Sequence, residues 1–241
     1  MHCNAYQTQL TLNGIKLPRI SSVRDLGITY SNTFALSQYV NTQQIRAKLA
    51  IARTYRSISN AEARLVLYKS VVRPGLEYGT YLFSNLPLSD CRRLESIQRL
   101  FTKSIFGYSS NLSYYQRCCN LNLDPLWVRR LKINLVFLFK LLRSQNLSEQ
   151  SISILNNNQH DLRSNSRLIS FPIARSNLRS NFFLIRYSQI WNTLPCRITS
   201  SMHSHQFSLS LDRVFTPDTL RHLLSPYLSI EALYEHGPGH I

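Results

Sequence analysis

Glycine is scarce and poorly placed for phosphate chemistry. Seven glycines occur in 241 residues, and none lies between Gly107 and Gly237. Walker loops and dinucleotide fingerprints need glycines where the backbone crowds a phosphate, so neither can exist in that stretch. Gly-x-Ser-x-Gly and His-Glu-x-x-His are missing throughout, which excludes a hydrolase nucleophile elbow and a zincin helix. Acidic residues number 12 against 28 lysines and arginines, and no two are adjacent. Apart from Glu231 and Glu235, the only acidic pair within five positions is Asp90 and Glu95. Two-metal phosphoryl transfer needs converging carboxylates that hold its ions about 4 Å apart. No autonomous active site and no cofactor is therefore expected. Asp25, Glu62, Glu77, Asp90 and Glu95 have capping or helix-surface roles available to them.

Cysteine is sparse and irregular: Cys3, Cys91, Cys118, Cys119 and Cys196. An odd, unspaced set argues against a disulfide framework. Cys196, His203 and His205 offer three metal donors without an evident fourth. Long apolar runs are lacking too. The longest, Leu135–Phe139, ends at Lys140, far short of the roughly 20 residues of a membrane span. The first residues, Met1 to Gln7, hold no apolar signal core. The expectation is an intracellular chain with reduced thiols and no membrane partner.

What is abundant is positive charge. The net charge is +16 and the pI about 10.1, which points to a polyanionic partner. Residues 41–199 hold 23 basic and 7 acidic side chains; residues 200–241 hold 2 and 4. No run of five like charges occurs. Arginines interleave with apolar residues instead, as on the exposed faces of folded helices.

Periodicity predicts a mainly α fold in four parts. A small β unit occupies 1–40. Asn13-Gly14 between Leu10, Leu12, Ile15 and Leu17 marks a hairpin, and Val23–Ile28 reads as a third strand. A helical bundle covers 41–143. Its first helix carries Ile45, Leu49 and Ala52 on one face and ends near Ser57. Ser59-Asn60-Ala61-Glu62 fits a capping box for the second, which Pro74 should break or kink. Residues 77–83 then read as helical again. Ser89 should cap a helix with Leu94, Ile97, Phe101 and Ile105 inward, stopped by Gly107. A short helix is expected at 113–120. Asp124-Pro125 should open a long apolar helix to about 143, with Trp127 in the core. Between 144 and 181, 16 of 38 residues are Ser or Asn, so a linker or long loop is expected there. A small helical unit follows at 182–235, with Trp191 as a core anchor.

Several segments, in order, carry a resemblance. They are Val23-Arg-Asp-Leu-Gly-Ile28, Val72-Arg-Pro-Gly-Leu-Glu-Tyr-Gly79 and Leu94-Glu-Ser-Ile-Gln-Arg-Leu-Phe-Thr-Lys103. Tyr114 to Arg117, Leu121-x-Leu123 and Leu126-x-x-Arg129-Arg130 come next, then Phe183-x-x-Arg186 and Trp191-Asn-x-Leu-Pro195. Together the chain resembles the region downstream of the catalytic palm in reverse transcriptases of non-LTR (LINE-type) retrotransposons. The resemblance implies the end of a palm with its primer-side hairpin, a helical thumb and a connecting C-terminal region. It implies no polymerase activity for this portion alone, because the family's aromatic-x-Asp-Asp motif, which holds magnesium, is missing. The implied partners are an RNA/DNA template–primer duplex and the palm and fingers of the same polyprotein. The alternatives are a basic helical protein-interaction module and a non-functional element remnant.

A thumb grips phosphates without reading bases, and guanidinium groups suit that task. The candidate contacts are Arg46, Lys48, Arg53 and Arg56 on the first helix, and Arg92, Arg93, Arg99 and Lys103 on the fourth. Asp25, Leu26 and Gly27 belong to the strand that the resemblance sets beside the primer. Arg73 and Glu77, four apart, are expected to form a structural ion pair.

Overall fold

The computed structural model describes residues 10–32, 36–83, 86–144, 169 and 173–215. Most of the Ser/Asn-rich stretch and the part of the C-terminal helical unit expected beyond 215 lie outside the described residues.

The chain begins with two hairpins, each built on a two-residue turn. Strands β1 (Thr11–Leu12) and β2 (Ile15–Lys16) pair antiparallel around Asn13 and Gly14. Both turn residues have positive φ, 50° and 81°, which matches the right-handed twist of the strands they join. Val23–Ile28 is not the single strand that its composition suggested. It is a second hairpin, with β3 (Ser22–Asp25) antiparallel to β4 (Ile28–Ser31). Leu26 and Gly27 turn the chain at φ 45° and 81°. Gly27 tolerates that region freely. Leu26 enters it too, with its side chain left 80% exposed at the tip.

The rest is helical. Helix α1 (Ser37–Ser57) starts four residues earlier than expected, because Tyr39 and Val40 are buried with Ala47 and Ile51. Helix α2 (Ala61–Leu67) is capped by Asn60, not Ser59: the Asn60 side chain accepts from the N–H groups of Glu62 and Ala63. Pro74 does not break the helical path. The chain widens into a π-helical turn (Tyr68–Val72), where the Arg73 N–H reaches the Tyr68 carbonyl. Pro74 then falls in the first turn of α3 (Arg73–Glu77), where a missing N–H costs least. Past Gly79 (φ 67°) a 3-10 turn covers Thr80–Phe83.

Helix α4 (Leu88–Phe106) begins after Pro87, so Ser89 sits inside its first turn and caps nothing. Leu94, Ile97 and Phe101 are buried as expected, and Gly107 ends the helix at φ 86°. Helix α5 (Tyr114–Asn120) opens on a full capping box of Ser113 and Gln116. Helix α6 (Leu126–Arg143) has the expected extent but a different cap. The Asp124 carboxylate bonds Lys132 (2.7 Å). The free N–H groups of Leu126 and Trp127 donate instead to Glu95 of α4, at 3.0 and 2.9 Å. After Ile169, four more helices are described: α7 (Asn177–Ser180), α8 (Phe183–Thr193), α9 (Cys196–Thr199) and α10 (Ser204–Val214).

Two hydrophobic cores result. The first joins α1, the π turn, α3, α4 and α5 through residues such as Ile51, Tyr68, Leu76, Ile97 and Phe101. The second packs α8, α9 and α10 against α6, with Phe139, Trp191 and Phe207 stacked at its centre. The division falls inside α6: Leu126 belongs to the first core and Trp127 to the second. Lys132 of α6 holds both Asp124 and Asp212, each at 2.7 Å. The architecture is mainly α, with small antiparallel hairpins at the N-terminal end.

Candidate nucleic-acid interface

Helix α1 presents four exposed cations. Its core side is Val40, Ala47 and Ile51, and Gln44 donates to Ser96 and the Arg93 carbonyl of α4. Successive residues step about 100° around a helix. Arg46 and Arg53 therefore share one edge, Arg56 lies on the outward face and Lys48 on the far edge. All four are exposed, and none enters an ion pair among the described residues. They frame an apolar ridge. Ile45 is 60% exposed and Leu49 52%, with Ala52 exposed beside them. The face that sequence periodicity picked out by its apolar residues is thus the solvent face. Val40, Ala47 and Ile51 won the core position because they meet α4 and α3.

Helix α4 offers less. Arg92, Arg99 and Lys103 align along one side, since they recur at helical spacing. Of these three, only Arg92 is exposed. Arg93 is held by Asp90 at 3.0 Å, and Asp90 also accepts from the Ser37 hydroxyl at 2.6 Å. Arg99 lies over the Tyr114 ring, 4.4 Å from its centroid. Lys103 is half-buried.

The carboxylates expected on helix surfaces mostly hold the fold. Glu95 is fully buried, accepts from Tyr114 Oη and caps α6. Beside it the Tyr68 hydroxyl donates to Gln98 Oε1 (2.8 Å), and Gln98 Nε2 donates to the Asp124 carbonyl (2.8 Å). Burial pushes the neighbouring Cys118 thiol up to about 11. Glu77 and Arg73 lie 3.6 Å apart, but Glu77 is gripped more tightly by Arg129, at 2.5 and 3.3 Å. Burial and the adjacent Arg129 lower the pKa of Arg73.

Asp25, Leu26 and Gly27 form the end of β3 and the tip of the second hairpin. Tyr78 reaches that tip: its hydroxyl donates to the Leu26 carbonyl at 2.7 Å. Arg130 donates from Nε to Thr80 Oγ1 at 2.8 Å. Sequence reasoning passed over Tyr78, Tyr81, Arg129 and Arg130 as a group, because about 50 residues separate the tyrosines from the arginines. The signal available was the pairing of an Arg-rich helix start with Glu77.

No family model, curated protein or solved structure matches the chain. Among the described residues, no three His, Cys, Asp or Glu side chains group to hold a metal ion; Cys196, His203 and His205 do not do so. No described helix is long and apolar enough to cross a membrane.

Proposed function

We propose that this chain grips the sugar–phosphate backbone of a nucleic-acid duplex, as the thumb-side portion of a retrotransposon RNA-directed DNA polymerase whose catalytic aspartates lie elsewhere. The observation that carries this reading is the outward face of α1. Arg46, Lys48, Arg53 and Arg56 stand exposed there without ion pairs among the described residues, while Asp90, Glu95 and Glu77 are engaged inside the bundle. Phosphate contacts of this kind fix position without reading sequence. The ordered series of motifs resembling the palm end and thumb of non-LTR reverse transcriptases makes an RNA–DNA hybrid the preferred ligand. By that resemblance the Leu26–Gly27 tip faces the primer.

A salt series with an RNA–DNA hybrid tests this. Log affinity should fall linearly with log salt, at a slope on the order of −0.9 for each phosphate neutralised on a B-form duplex. Reversing Arg46, Lys48, Arg53 and Arg56 to Glu should flatten that slope. A folded, monodisperse chain that binds hybrid without salt dependence, or not at all, overturns the reading. The exposed Ile45 and Leu49 favour one second reading, a basic protein-interaction module. In that case substituting those two residues with Ser disrupts the partner complex and leaves the salt slope unchanged.

A further inference from the structure

The outward face of α1 pairs charge with an apolar ridge that no described residue covers. Ile45, Leu49 and Ala52 recur at helical spacing there, Ile45 60% exposed and Leu49 52%. Arg46 and Arg53 run along one edge of the ridge, Lys48 along the other, and Arg56 closes its C-terminal end. A ridge framed in this way fits an amphipathic segment with apolar residues on one face and carboxylates at the margin.

The described carboxylates do not serve it. Glu77, Asp90 and Glu95 are engaged in the first core's helices, and Asp124 and Asp212 both bind Lys132. Neither Asp25 nor Glu62 forms an ion pair with α1. Glu149 and Asp161 are 12 positions apart in the Ser/Asn-rich stretch. Residues 216–241 carry the remaining three acids, Asp218, Glu231 and Glu235, against one arginine, Arg221. Glu231 and Glu235 are the only acids in the sequence spaced four apart. Around them, Tyr227, Ile230, Leu233 and Tyr234 recur at the spacing of one helix face, with the two glutamates along its edge. An apolar face with an acidic edge complements an apolar ridge with basic edges.

Reach is ample. The described chain ends at Phe215, three residues past Asp212. Asp212 meets Lys132, Lys132 meets Asp124, and the Asp124 carbonyl accepts from Gln98 of α4 (2.8 Å), the helix to which Gln44 ties α1. The 26 residues that follow span up to about 80 Å when extended, several times the radius of gyration of about 18 Å for a folded chain of this length.

We propose that residues 216–241 dock on the outward face of α1, apolar residues on the Ile45–Leu49 ridge and Glu231 and Glu235 on its cations. The docking stands apart from the nucleic-acid reading. Its consequence, competition with a duplex for the same four cations, rests on that reading.

Hydrogen exchange on the full chain tests the docking. Amides of 227–235 should exchange about tenfold more slowly than in a synthetic peptide of the same sequence. Reversing Arg46, Lys48, Arg53 and Arg56 to Glu should remove that protection, as should Glu231→Lys with Glu235→Lys. Combining the two sets makes the charges opposite again and should restore it. Ile230→Ser with Leu233→Ser keeps the net charge and uncovers α1, so affinity for an RNA–DNA hybrid should rise about fivefold or more. Peptide-like exchange in the parent chain overturns the docking. Protection that ignores the α1 substitutions overturns it too, because the segment then packs elsewhere. Hybrid affinity that stays at the parent value in the Ser variant overturns the competition. Protection that follows the charge swap in a chain that binds no hybrid in any variant upholds the docking and removes the nucleic-acid reading.

Discussion

At the scale of single residues, Glu95 does the most for the fold. It is fully buried, yet it satisfies the first two N–H groups of α6 and the Tyr114 hydroxyl. Desolvation raises its pKa, partly offset by those donors. A carboxyl with a raised folded pKa binds its proton more tightly in the folded chain. Its contribution to stability is therefore full below the unfolded value, about 4.3, and declines as pH rises through the folded value. Glu95→Gln should remove that decline, flattening urea-unfolding stability measured between pH 4 and pH 8. Glu95→Ala leaves three buried donors without an acceptor and should cost about 3 kcal/mol at neutral pH by the same measurement. A loss below about 1 kcal/mol would mean that water replaces the carboxylate.

Helix ends and turns set the next scale. Asn60 accepts two N–H groups at the start of α2, whereas Ser59 is exposed and accepts neither. Asn60→Ala should lower stability by about 1 kcal/mol. Ser59→Ala should stay within about 0.5 kcal/mol; thermal unfolding of the two variants decides. Capping residues next to each other in sequence compete, and the backbone angle at the cap chooses between them. Asn60 has ψ 124°, extended as an N-cap requires. The same limit applies at α6. Asp124-Pro125 announces a helix start, and the helix does start there. The acid that caps it comes from a helix 31 residues earlier, and local sequence holds no record of that pairing. At Pro74 the proline was legible, but not the π turn that accommodates it.

At the scale of the molecule, the described residues form two cores that meet along α6, with Leu88 and Cys91 of α4 also packed on the second. Phe207 is fully buried in the second core, where it stacks on Phe139 and Trp191 at 4.6 and 5.4 Å. Phe207→Ala should cost about 3–5 kcal/mol. Hydrogen exchange should then show α8, α9 and α10 losing protection while the amides of α1 and α4 keep theirs. Equal loss in both halves would mean that α6 couples the two cores into a single cooperative unit. The nucleic-acid binding proposed for α1 should survive the substitution if the first core stands without the second.

Composition and periodicity by themselves determined that the chain is basic and mainly helical, with turns at Asn13-Gly14 and Gly107 and a long apolar helix ending near Arg143. These features depend on neighbours a few residues apart, and local sequence states them. Tertiary packing alone decided which side of α1 faces solvent. Two apolar stripes compete on that helix, and only the fit of Ala47 and Ile51 against neighbouring helices settles the contest. It also decided which arginines are engaged: Arg93 on Asp90, Arg99 on Tyr114 and Arg129 on Glu77. Charge is written in the sequence, but whether a charge is available depends on what the fold sets within a few ångströms of it.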